Sequence, residues 1–154
     1  MGSGRRAEIV DLLAQGERSA ASGVDHFGRT ESLIWLALHR RELVEVERLL
    51  EELERPKKSL IRSRKLAPVA ARLDALAALG RKETLERDAP PLLRPGTYLE
   101  PFALRALGVV RRDLTLVEQA ERRFDALALA WHAAQTRRIL AAGPALSKGS
   151  RARA

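Results

Sequence analysis

The stretch that decides the fold is residues 98–142, which read YLEPFALRALGVVRRDLTLVEQAERRFDALALAWHAAQTRRILAA. Thr97 and Glu100 have the T-x-x-E spacing of a capping box, in which each side chain satisfies a backbone N–H of the first helical turn. Pro101 follows in that turn, where a missing N–H costs little. Apolar residues then recur at helical spacing as far as Val110, so the pattern predicts an α-helix.

Two further helices are predicted in the same stretch. Asp113 is a good N-cap for the first of them, because its carboxylate can accept a hydrogen bond from a first-turn N–H. The second is expected from about residue 129 to 142, with Gly143 as its C-cap and Pro144 just beyond. The sequence leaves two possibilities open at Ala128, a turn at this alanine or one continuous helix through it.

The composition favours an all-α fold. The 154 residues contain no cysteine and only six aromatic residues, and leucine and alanine dominate. The absence of cysteine excludes disulfides and thiolate metal sites. No apolar run approaches the roughly 20 residues that a membrane span needs. We therefore expect a cytoplasmic protein that does not associate with membranes.

Helical patterns continue outside the deciding stretch. They are predicted at residues 5–21, 31–40, 42–54, 68–79 and 82–89. The expected organisation is a flexible N-terminus or expression-tag remnant at 1–4, a single helical repeat domain at 5–146 and a disordered basic tail at 147–154.

The net charge of +8 is concentrated in the ends of the chain and in one connector. Residues 55–65 contain six basic residues and no acidic one. The candidate patch for an acidic ligand consists of Lys57, Lys58, Arg62, Arg64 and Lys65. Such a run could bind nucleic acid in a salt-dependent way, which is the alternative function. A solvated linker is the favoured interpretation, because no aromatic residue lies among the basic ones.

The helices also suggest an internal repeat. A helix ends, a short break follows and a charged residue opens the next helix at three junctions, Leu38-His39 to Glu42, Leu79-Gly80 to Glu83, and Leu107-Gly108 to Asp113. In the last copy, Leu104-x-x-Leu107-Gly108 followed by Ala120-x-x-x-Phe124 resembles the tetratricopeptide pattern. This resemblance, extended over residues 30–142, implies a right-handed α–α superhelix of about three helix pairs.

The ending FDALALAWHAAQTRRIL, residues 124–140, also resembles the C-terminal repeat region of large bacterial ATP-binding transcriptional regulators and multidomain nucleotide cyclases. Stacked helix pairs of this kind leave a concave groove that suits a helix or an extended peptide. The resemblance therefore implies a regulatory or scaffold module that binds a protein or peptide partner. Arg105, Arg111 and Arg112 are the predicted partner-binding residues, and uncapped end helices could pair in a homodimer.

No catalytic, cofactor or metal site is predicted. The sequence contains no P-loop, G-x-G-x-x-G or G-x-S-x-G pattern. His39 and Glu42 have a helical spacing, but a predicted helix break separates them and no second pair supports a metal site. His132 is expected to pack or to cap a helix, and Trp35 and Trp131 are expected in the core. We therefore predict that the protein is not an enzyme.

Overall fold

A computed structural model of the chain describes residues 29–55 and 66–148. This part of the chain contains seven α-helices, one short 3-10 helix at Pro90–Leu92 and no strand. The helices are α1 Arg29–Arg40, α2 Leu43–Glu54, α3 Leu66–Ala78, α4 Lys82–Asp88, α5 Glu100–Arg111, α6 Leu114–Ala126 and α7 Ala130–Lys148. The predicted all-α class is confirmed for the described residues. The predicted helix at 5–21 and most of the predicted tail lie outside them.

The chain divides into two compact units, an N-terminal unit of residues 1–75 and a C-terminal unit of residues 76–154. In the N-terminal unit, α2 buries Val46, Leu49 and Leu50 against α1, as its apolar stripe predicts. The half-buried Trp35 of α1 donates a hydrogen bond from Nε1 to Asp74 Oδ2 of α3 at 3.0 Å. The predicted domain boundaries stay predictions.

Helix α5 is the centre of the C-terminal unit. Every residue from Glu100 to Gly108 is buried, because α5 contacts α4 as well as α6 and reaches α7 through its Arg105 side chain. Phe102 and Leu107 of α5 and Phe124 of α6 have no exposed surface. Burial of such large apolar side chains supplies about 1.5–3 kcal/mol each, so these contacts fix the helix packing.

Four helix connections have the same type of turn. Arg41, Gly80, Arg112 and Ala128 all have positive φ, between 57° and 67°, and in each case a single residue separates this position from the next helix. Each turn is closed by paired backbone hydrogen bonds. At the last one, the Ala128 N–H donates to Asp125 O at 3.0 Å and the Leu129 N–H to Phe124 O at 2.9 Å. This is the Schellman arrangement, which satisfies the final carbonyl groups of a helix.

The turn at Ala128 decides between the two possibilities that the sequence leaves open: α6 and α7 are separate helices. The predicted end of α7 at Gly143 and Pro144 is wrong, since the helix continues to Lys148. Gly143 lies opposite Leu114 instead, where an added Cβ would be 3.1 Å from Leu114 Cδ2. Pro144 lies within this 19-residue helix, where it removes one backbone N–H donor.

The predicted capping box of α5 is also wrong. The Thr97 hydroxyl donates to Arg94 O at 2.8 Å, and Glu100 Oε2 accepts from the Gly96 N–H at 2.8 Å. The backbone N–H groups of Thr97 and Glu100 donate instead to the carbonyl oxygens of Arg94 and Thr97. Gly96 has a φ of 78°, and this left-handed turn brings its N–H onto the carboxylate. The expectation for Pro101 in the first turn of α5 is confirmed.

Asp113 caps α6 as predicted. Its Oδ1 accepts from the Thr115 N–H at 3.0 Å and from the Leu116 N–H at 3.4 Å. Two of the first-turn donors of α6 are therefore satisfied by one carboxylate.

Candidate functional site

The three predicted partner-binding arginines lie in different environments. Arg105 is only 4% exposed, whereas Arg111 and Arg112 are exposed at the end of α5. A guanidinium this deeply buried does not reach a partner at the surface, so the prediction that Arg105 contacts a partner is corrected. It is an internal group of the C-terminal unit.

Arg105 connects α5 to the start of α7. Its Nη1 donates to the carbonyl oxygen of His132 and to the hydroxyl of Thr136, each at 3.0 Å. Its Nη2 lies 3.4 Å from Nδ1 of His132. The Thr136 hydroxyl itself donates to the His132 carbonyl at 2.7 Å, so three side chains share one small polar cluster.

Aromatic rings enclose this polar cluster. The Arg105 Cζ lies 4.5 Å from the centroid of Phe124 and 5.5 Å from that of Phe102, distances at which a cation is attracted to an aromatic face. The His132 ring stacks on Phe124 at 5.4 Å and meets Phe102 edge-on at 4.7 Å. Three helices thereby meet at Arg105, and we call these residues, with Thr136, the Arg105 cluster.

His132 and Trp131 have the neighbouring positions that the sequence suggests for packing. His132 is buried, and Trp131 is half-buried with its ring edge-on to the imidazole at 5.0 Å. The pairing of Arg105 with His132 is not predictable from the sequence. The two residues are 27 positions apart, and the only signal is the unusual placement of an arginine between Leu104 and Ala106 on an apolar helix.

Arg111 joins α5 to α4. Its Nε donates to Glu86 Oε1 at 2.8 Å and its Nη2 donates to the other carboxylate oxygen. This hydrogen-bonded pair lowers the pKa of Glu86 and raises that of Arg111. The pair is solvent-accessible, and such pairs contribute little to stability. Its main consequence is that the Arg111 guanidinium has a fixed position at the surface.

Arg112 is the turn residue between α5 and α6. Its φ is 57°, and its N–H donates a hydrogen bond to Val109 O at 3.2 Å. Its side chain is exposed. The sequence gives no signal for this role, because arginine adopts the left-handed region only rarely. Of the three predicted partner-binding arginines, Arg111 and Arg112 are the two that lie at the surface. That they contact a partner stays a prediction.

Glu100, which the sequence analysis assigned to a capping box, is a further buried charged group of the C-terminal unit. It is 6% exposed, accepts from the Gly96 N–H, and lies 3.4 Å from Arg123 Nε of α6. It therefore fixes both the loop before α5 and the surface of α6. The predicted acidic-ligand patch at 57–65 lies outside the described residues.

No group of three or more His, Asp or Glu side chains within residues 29–55 and 66–148 has the arrangement of a metal site. None of the helices in this part of the chain combines the length and the apolar character required to cross a membrane.

Comparison with known proteins found no matching family model, no matching curated protein and no matching solved structure.

Proposed function

We propose that this chain is a non-catalytic protein-interaction module, a tetratricopeptide-like α–α superhelix that binds a protein or peptide partner. The observation that supports this is the shared turn at Arg41, Gly80, Arg112 and Ala128. Repeated connections of the same geometry favour repeated helix pairs, and stacked pairs leave an elongated concave surface for a helix or an extended segment.

Arg111 and Arg112 are the proposed contact residues. They lie side by side at the exposed end of α5, and Glu86 fixes the guanidinium of the first. Arginine recognises carboxylates through two parallel hydrogen bonds, so an acidic segment of a partner fits the exposed Arg112 guanidinium, whereas the Nε–Nη2 edge of Arg111 is already bound to Glu86 and contributes its positive charge. Arg105 has a supporting part, since it fixes α7 against α5 from within.

The test uses the full chain in its own cells, with a photo-activated cross-linking amino acid at position 112. A second chain has the cross-linker at the exposed position Gln119 of α6. Cross-linking from position 112 identifies the partner, whose affinity is then measured for Arg112→Glu and for the control Arg122→Glu. We expect the first to weaken binding about tenfold or more, because it places like charges together, and the second to change it little. Equal effects, or no protein partner, would contradict the proposal.

The alternative function is nucleic-acid association through the basic connector. The six basic residues without an acid at 55–65 favour it. Binding of a labelled duplex should weaken steeply between 50 and 200 mM salt, on the order of the loss expected for several phosphate contacts. Neutralising the predicted acidic-ligand patch should reduce that salt slope. An unchanged slope would eliminate this alternative.

A homodimer through end helices, a cytoplasmic location and a regulatory part in a bacterial cell belong to the same proposal. An array with uncapped end helices tends to associate, so sedimentation should show a concentration-dependent dimer. A single monomeric species at all concentrations would remove the dimer from the proposal and leave partner binding unaffected.

A further inference from the structure

The turn between α6 and α7 holds an alanine against its local preference. The φ of Ala128 is 57°, in the left-handed region, where the Cβ lies too close to the following carbonyl oxygen. Residues 126–130 are alanine and leucine only, and these are among the strongest helix formers. The local sequence therefore favours one helix through this position, and the packing of α7 on α5 and α6 keeps the turn closed.

The other three left-handed turns have local features that oppose straightening. Gly80 adopts its positive φ without a Cβ. Arg112 directly precedes Asp113, whose carboxylate caps α6 and would lose its N–H donors in a continuous helix. Arg41 lies in a run of three charged residues, 40–42. Of these four turns, the one at Ala128 has neither a glycine nor a charged residue within 126–130, and the residue that precedes α7 is a leucine, which cannot cap it.

The contacts that hold α7 in place can form equally well between two copies of the chain. Arg105 Nη1 of α5 donates to the carbonyl oxygen of His132 and to the hydroxyl of Thr136, each at 3.0 Å. Arg137 Nε of α7 donates to Glu121 Oε1 of α6 at 2.7 Å. In each contact one group belongs to α7 and the other to α5 or α6. A copy that gives its α7 to a neighbour and receives the α7 of that neighbour therefore keeps all of them.

We propose that two copies of this chain exchange α7. In the exchanged dimer Ala128 is helical, α6 and α7 form one continuous helix, and each Arg105 cluster is completed by His132 and Thr136 of the other copy. Short connections under strain are the ones that favour such an exchange. The exchange does not depend on the proposed binding of a protein partner, and it differs from the stacking of end helices because α7 leaves its own α5 and α6.

Straightening the turn also adds contacts. The hydrogen-bond ladder of α7 begins with the Ala133 N–H donating to Leu129 O at 3.0 Å, so the first-turn N–H groups before it have no acceptor within α7. A continuous helix supplies the carbonyl groups of residues 126–128 as their acceptors. Two such helices, running antiparallel, cross at residues 126–130, where Leu127 is 37% exposed in the separate chain. The crossing covers this apolar surface and brings no like charges together, because residues 126–130 are uncharged.

The first test compares the dimerisation of the full chain with that of two glycine variants, refolded from urea at a series of concentrations and measured by sedimentation. Ala128→Gly relieves the turn of the separate chain and weakens the continuous helix, and a dimer contains two such positions. We expect its association constant to fall about a hundredfold or more. Ala126→Gly is the matched control, since residue 126 is helical in both forms and its effect on them should cancel. A monomeric wild type at every concentration, or equal dimer fractions for the wild type and Ala128→Gly, would overturn the proposal.

The second test identifies which copy supplies α7. The chain contains no cysteine, so Glu121→Cys and Arg137→Cys each introduce a single thiol, and the exposed ion pair that they remove contributes little to stability. The two variants are refolded together and treated with a short bismaleimide. Each chain has one thiol, so a link between positions 121 and 137, identified by mass spectrometry, joins two copies. We expect this link in the dimer fraction. A dimer without it would be held by stacked end helices, and that result would overturn the exchange.

Discussion

Gly108 is the position where a single methyl group should cost most. An alanine Cβ there would lie 2.6 Å from Cγ2 of Val117 and 3.0 Å from both Asp113 O and the Val117 N. Real Cβ atoms essentially never approach closer than 3.0 Å to another heavy atom. Gly108→Ala therefore forces α5 and the start of α6 apart.

The magnitude follows from what can move. Val117 is only 1% exposed, and the other two contacts are backbone atoms of the first turn of α6, so the strain cannot be relieved by rotating a free side chain. Overpacking of this kind costs about 3 kcal/mol, the upper end of its usual range. The better helix propensity of alanine returns about 1 kcal/mol. We expect a net loss of about 2 kcal/mol.

Gly143 is the matched control. An added Cβ there would meet only Leu114, at 3.1 Å from Cδ2 and 3.3 Å from Cδ1, and that leucine is 43% exposed. The end of a half-exposed leucine can rotate away at little cost. Gly143→Ala should therefore be neutral or stabilise the protein by up to about 1 kcal/mol through helix propensity.

Urea unfolding followed by the helical circular dichroism signal gives both free energies. The reasoning would be refuted if Gly108→Ala were as stable as the wild type, or if the two alanine variants lost equal stability. Val117→Ala removes the atom of the shortest contact, so the double variant Gly108→Ala/Val117→Ala should be more stable than the sum of the single losses predicts. If the losses of the two single variants simply add, the strain in Gly108→Ala does not arise from the contact with Val117 Cγ2.

Three further predictions concern the turns and the surface. Ala128→Gly should stabilise the protein by about 1 kcal/mol, because glycine adopts positive φ without the Cβ clash, whereas Ala126→Gly within α6 should cost about 1 kcal/mol in the same unfolding assay. Asp113→Ala should cost about 1 kcal/mol, since two N–H groups of α6 lose their acceptor, and thermal unfolding would show no such loss if water replaced the carboxylate equally well. Glu86→Gln should cause a small loss at pH 7. Arg111 lowers the pKa of Glu86, so the pair stabilises the protein above the ordinary glutamate pKa, and the difference from wild type should vanish in acid and shrink in high salt.

The positions of the helices were predictable because local signals determine them. The apolar stripe of α2 and the carboxylate of Asp113 act within one or two turns, and the helices they predict begin within a residue or two of the observed ones. The capping box before α5 does not form, because the Glu100 carboxylate accepts from the N–H of Gly96 and not from that of Thr97. Gly96 has a positive φ. A local motif is reliable only when no neighbouring donor has better geometry.

The Arg105 cluster could not be predicted, since it depends on contacts between helices. The only local signal is the position of Arg105 between Leu104 and Ala106 on an apolar helix, and this signal does not identify the acceptors of the guanidinium. Its acceptors, the His132 carbonyl and the Thr136 hydroxyl, lie 27 and 31 positions further along the chain. The packing angle of α7 must be known before these atoms can be paired. The burial of Arg105, which corrects the prediction that this residue contacts a partner, depends on the same packing and could not be predicted either.

The junction between α5 and α6 shows how the sequence misleads at the turn itself. A glycine before a polar run suggests that the helix stops there, yet Gly108 is helical and the left-handed residue is Arg112, four positions later. The glycine is required where two helix backbones approach, because only there does a Cβ clash with backbone atoms that cannot move. At the turn a Cβ costs about 1–2 kcal/mol, which the packing of the helices on either side offsets. Gly80, which does lie at a turn, has no atom within 4 Å of an added Cβ. In this chain glycine therefore marks close helix approach at Gly108 and chain reversal at Gly80, and only the surrounding contacts distinguish the two.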